Sequence, residues 1–113
     1  MADPARGEVW VVDLNPTRGH EQSGVRPALV VSVDEFNAGP AARVVVLPLT
    51  TRDRRVPSHV RIEPPEGGVQ QTSFIKCKDL RSLSRQRLAN AWGRVTRKTM
   101  EAVEDRLRIL LDL

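Results

Sequence analysis

The chain has 113 residues, 12.6 kDa, 40% apolar residues and a net charge of +4, from 18 Lys+Arg against 14 Asp+Glu. That length predicts one domain over residues 1–113 with a modest core, and a lone Cys77 excludes an internal disulfide. No apolar run approaches a membrane span and the first ten residues lack a signal-peptide pattern, so a cytoplasmic protein is expected.

Residues 8–14 (EVWVVDL) and 26–33 (RPALVVSV) are β-branched runs of strand length. The stretch between them, NPTRGHEQSGV, is longer than a hairpin needs, which makes residues 15–25 a candidate site element. Asp34 caps a short helical turn through Asn37, ended by Gly39-Pro40. Residues 42–50 (ARVVVLPLT) form the most continuous apolar run and read as a central strand. After the polar residues 51–57, residues 58–63 alternate as a half-exposed strand, with Val60 and Ile62 on one face and His59, Arg61 and Glu63 on the other. Pro64, Pro65, Gly67 and Gly68 force a turn. Residues 72–83 (TSFIKCKDLRSL) mix their parities, as in a bent or bulged strand curling around a barrel.

Residues 84–89 suggest one helical turn, and 91–95 a last strand with Gly93 at a bulge or close approach. From Thr96 onward, Met100, Val103, Leu107, Leu110 and Leu111 recur at helical spacing, a stripe suited to core or dimer packing. Trp10 and Trp92 read as core residues. The sum is a mostly β (α+β) fold, a small, strongly curved β-barrel with short helices and a C-terminal α-helix. Its exposed strand edges favour a homodimer.

Fifteen of the 18 basic residues are arginine, and residues 76–98 hold eight basic residues against Asp79 alone, +7 over 23 residues, leaving −3 for the remainder. Arginine's planar fork suits phosphate, which points to a nucleic-acid partner; the alternative is a solvated face. Other signatures are silent. His20 and His59 stand 39 residues apart with no second cysteine, which argues against a metal site, and no P-loop or G-x-S-x-G elbow occurs. RNA cleavage can dispense with all of these, because the substrate's own 2′-hydroxyl attacks the neighbouring phosphate. The protein then needs to position, move protons and stabilise charge.

GEVWVVDLNPTRGHEQSGVRPALVVS, at 7–32, resembles the opening of the MazF/PemK toxin family, the RNA-cleaving half of bacterial toxin–antitoxin pairs. VLPLTT (46–51), PSHVRI (57–62), QTSFIKCKDLRSL (71–83), RQRL (85–88) and the final helix follow in the family's order, so the resemblance spans residues 6–113. Its specific part is E-Q-x-G-x-R-P-A. The resemblance implies an SH3-like, PemK-type barrel acting as a homodimer. It implies a sequence-selective endoribonuclease of single-stranded RNA that needs no metal or cofactor, leaves 2′,3′-cyclic phosphate and 5′-hydroxyl ends, stops translation and growth, and is neutralised by an acidic antitoxin.

The family's catalytic pair falls on Arg26 and Thr50, and its loop glutamate on Glu21, beside Gln22. Arginine stays protonated, so Arg26 suits holding the phosphate better than taking a proton. Thr50 would donate to a phosphate oxygen; Glu21 would orient Arg26 or accept the 2′-hydroxyl proton. Thr17, Thr51, Arg52, Arg54 and His59 are the further candidates for RNA contact, and His20 with His59 form a second acid–base possibility. On this reading RNA lies between residues 15–25 and 50–57, with the basic 76–98 stretch at most a flank. Two other classes stay open: a non-enzymatic binder of single-stranded nucleic acid, and a DNA gyrase poison of related fold.

Overall fold

The computed structural model describes residues 3–14 and 24–113. Among them, seven strands make one antiparallel sheet: β1 (Glu8–Asp13), β2 (Val25–Val30), β3 (Arg43–Thr50), β4 (His59–Ile62), β5 (Ser73–Lys76), β6 (Arg81–Ser84) and β7 (Leu88–Arg94). A one-turn α1 (Asp34–Asn37) and the C-terminal α2 (Arg97–Leu111) complete it. The sheet runs β4-β5-β3-β2-β1-β7, and β6 also pairs with β3. The mostly β fold with short helices and a C-terminal helix is the expected one; the sheet path itself does not close, since β3 forks between two partners at one edge.

That fork explains the mixed parity of residues 72–83. β5 pairs with the end of β3 (Leu49↔Ile75, Thr50↔Phe74), while β6 pairs with its start (Arg43↔Ser84 through Val46↔Arg81). Between them a 3-10 turn, Cys77–Asp79, takes up three residues and shifts the register by the same number. The changeover falls at Pro48, which has no amide proton for a ladder.

Strand alternation buries side chains on both faces of the sheet. One cluster includes Val9, Leu29, Leu47, Leu49, Ile75 and Val103; the other includes Trp10, Val12, Ala28, Val30, Val46 and Leu83. Trp10 is core, as expected, whereas Trp92 is 41% exposed on edge strand β7. Gly93 sits at a close approach: a Cβ there would lie 2.9 Å from the Gly68 amide nitrogen, and Gly68 itself has φ +78 and no room for a side chain against the Trp92 carbonyl.

Thr96 caps α2 by accepting from the Thr99 amide at 3.1 Å, and its own amide donates to Glu66 Oε2 at 3.0 Å. Of the apolar stripe, Val103, Met100 and Leu107 pack on the first cluster, but Leu110 and Leu111 remain exposed. The helix outruns the sheet it covers. Arg6 ties the N-terminal segment to α2 through Glu104 at 2.6 Å, and the buried Asn37 donates to the Pro4 and Ser32 carbonyls. No helix among the described residues is long and apolar enough to cross a membrane.

Candidate functional site

Two prolines open the site. The β2–β3 ladder runs Val30↔Val46, Leu29↔Leu47 and Ala28↔Pro48, and stops there. Pro27 and Pro48 bring no amide donors to it and the strands part, while Leu49 and Thr50 stay paired with β5 on the other edge of β3. Continuing the register by two residues sets Arg26 across from Thr50. A cleft of about 770 Å³ lies at the parting, lined by Arg26, Pro27, Leu49 and Thr50 from the diverging ends.

The next segment completes one wall with Thr51, Arg52 and Arg54. Two side-chain turns shape it: Thr50 Oγ1 accepts from the Arg52 amide at 3.2 Å, and Asp53 Oδ1 from the Arg55 amide at 2.9 Å. With its oxygen engaged as an acceptor, the Thr50 hydroxyl keeps a proton to donate.

The other wall comes from the bend after β5, with Ser73, Lys76, Lys78 and Asp79. Asp79 Oδ2 receives Lys76 Nζ at 3.1 Å and Lys78 Nζ at 3.0 Å. Burial raises the Asp79 pKa, but hydrogen bonds from Lys78 and Lys76 outweigh it and hold the carboxyl below its ordinary range. Among the described residues the cleft thus presents five cations, Arg26, Arg52, Arg54, Lys76 and Lys78, against one carboxylate, Asp79.

The structure therefore gathers Arg26, Thr50, Thr51, Arg52 and Arg54 around one space. Thr17, His20, Glu21 and Gln22 lie outside the described residues. His59 departs from expectation. It was assigned to the exposed parity of a half-exposed strand, yet it is only 9% exposed and absent from the cleft lining, because the parity shared with Lys76 is covered at that position. The basic stretch is also more than a flank, since Lys76 and Lys78 line the same cleft as Arg26. Sequence reasoning missed both lysines and Asp79. No alternation marks them, because β5 ends at Lys76 and Lys78 and Asp79 lie in the Cys77–Asp79 turn.

The model of the PemK-like, MazF-like toxin of type II toxin–antitoxin systems matches residues 5–111. Endoribonuclease MazF9 of Mycobacterium tuberculosis is 36% identical over 114 aligned positions, covering 96% of each chain. The crystal structure of MazF from Deinococcus radiodurans superposes with a TM-score of 0.88 at 30% identity and full coverage of both chains. An endoribonuclease in complex with its cognate antitoxin, from a mycobacterial species, has a TM-score of 0.79 at 29% identity, covering 100% of this chain and 97% of that one. Family match, sequence identity and fold coincide over nearly the whole length, and the chain belongs to the PemK-like, MazF-like toxin family of type II toxin–antitoxin systems.

Proposed function

We propose that this chain is an endoribonuclease toxin that cleaves single-stranded RNA at the cleft between the parted ends of β2 and β3. The observation that carries the reading is that Arg26 and Thr50, from the diverging ends of β2 and β3, line one cleft that holds five cations and one carboxylate. Such a cleft draws a polyanion and holds a phosphate between charged donors.

In the proposed reaction the RNA 2′-hydroxyl loses its proton and attacks the adjacent phosphorus. The P–O5′ bond breaks, and the 5′-oxygen takes a proton as it leaves. The products carry a 2′,3′-cyclic phosphate and a 5′-hydroxyl. Arg26 stabilises the charge that grows on the non-bridging oxygens, Thr50 donates its hydroxyl proton to one of them, and Glu21 serves as the carboxylate that orients Arg26 or takes the 2′-proton. Lys76, held by Asp79, adds a cation to the same wall. No step calls on a metal, because the nucleophile belongs to the substrate.

The proposal includes two protein partners. An acidic antitoxin segment would occupy the cationic cleft in place of RNA, and a second copy of the chain would cover apolar surface left open at Leu110 and Leu111. The residue assignment is tested with Arg26→Ala and Thr50→Ala. Each should lower the cleavage rate about 100-fold or more. Both side chains lie outside the buried core, so the melting temperature should stay within about 4 °C. An Arg26→Ala protein that cuts RNA and arrests growth at the wild-type level overturns the assignment.

A further inference from the structure

His59 is the one buried side chain among the described residues whose polar atoms go unmatched: Nδ1 and Nε2 are both covered from solvent, and neither has a hydrogen-bond partner. Buried donors and acceptors are normally paired, and leaving one unpaired costs stability, so such a group needs a reason to be there. A phenylalanine would fill the same space without that cost.

The surroundings point to the reason. His59 pairs with Lys76 across the β4–β5 ladder, and directly opposite residues of an antiparallel pair share a face with Cβ atoms about 4.5–5.5 Å apart. The charged groups acting on its ring are Lys78, Lys76, Asp79 and Arg54, every one of them a lining residue of the cleft. The imidazole therefore shares a sheet face with Lys76, a cation of the cleft wall. Burial first, then Lys78 and Lys76, hold its pKa below 6.5 against the opposing pull of Asp79, so at neutral pH the ring is uncharged. A neutral imidazole offers one donor and one acceptor, the pattern of a nucleobase edge, whereas phosphate is already served by five cations. The side chains of Arg54 and Lys78 are exposed.

We propose that His59 is a specificity-determining residue that reads a nucleobase of the RNA in this cleft: when the cationic wall rearranges onto the phosphates, its ring is uncovered and takes a base edge, one nitrogen donating and the other accepting. This inference rests on the endoribonuclease reading above and adds to it the group that distinguishes one base from another.

The test compares wild type, His59→Phe and His59→Gln, with cut sites mapped on a long, weakly structured RNA. Binding to an oligonucleotide carrying 2′-deoxyribose at the cut position is measured across salt concentrations. His59→Phe should fold with an unchanged or higher melting temperature and lose about tenfold or more of the base discrimination at one position of the cleavage motif. His59→Gln, which keeps a donor and an acceptor, should restore part of that discrimination. The slope of log affinity against log salt should stay at the wild-type value, since an uncharged ring releases no counterion. A slope reduced by about one would make His59 a phosphate contact and overturn base reading. A wild type that cuts beside a His59→Phe variant with the same site preference overturns this inference alone. A wild type that leaves RNA intact overturns the endoribonuclease reading and this inference with it.

Discussion

Thr50 illustrates how much one residue's role depends on where a ladder ends. Its hydroxyl is an ordinary strand-end group until β2 and β3 part beyond Ala28↔Pro48 and leave it lining a cationic cleft together with Arg26. Arg26 and Thr50 were legible in the sequence through the family motif. Lys76, Lys78 and Asp79 were not, because their approach depends on a register shift that residue types do not disclose. His59 was legible as a candidate but not as a buried one. Its titration has a consequence for stability. The folded pKa lies below 6.5, so as pH falls from that value the unfolded chain binds a proton that the folded chain refuses. The contribution is fully present above pH 6.5 and is lost as pH falls toward the folded value. The urea midpoint of the wild type should accordingly fall on acidification below pH 6.5, and that of His59→Phe should decline less over the same interval. Equal declines would show that the ring is not held neutral. At lower pH, Asp79 and Glu63, whose carboxyls are also held below their ordinary range, add a second loss common to both proteins.

At the scale of elements, the strands were read where apolar runs were long or alternation was clean. β1, β2 and β3 fall within three residues of their expected bounds. Residues 72–83 were expected as one bent strand and form two, because β3 binds their halves at different registers around the Cys77–Asp79 turn. The α2 stripe was read correctly in period and over-extended in burial, since Val103 is fully covered and Leu111 is 51% exposed. A helical pattern shows which face is apolar but not where its support ends. The start of α2 rests on Thr96, whose hydroxyl satisfies the Thr99 amide. Thr96→Ala should cost about 1 kcal/mol in denaturant unfolding, and Thr96→Ser should recover most of it. A loss shared equally by both variants would move the effect from the cap to the packing of the threonine methyl group.

At the scale of the whole molecule, composition supported a small single-domain fold, and the antiparallel sheet with a C-terminal helix bears out the mostly β reading. Net charge was a poorer guide. The +7 segment and the −3 remainder meet at one cleft, since Lys76 and Lys78 come from the first and Arg26, Arg52 and Arg54 from the second. A cleft assembled from both carries the central claim, that this chain cuts single-stranded RNA using the substrate's own hydroxyl. The most direct measurement incubates the purified protein with a long, weakly structured RNA in excess chelator and maps the chemistry of the new ends. Discrete cuts bearing 5′-hydroxyl ends are expected, absent in Arg26→Ala. RNA that stays intact while bound tightly and salt-sensitively would contradict the claim and leave a binding module in its place.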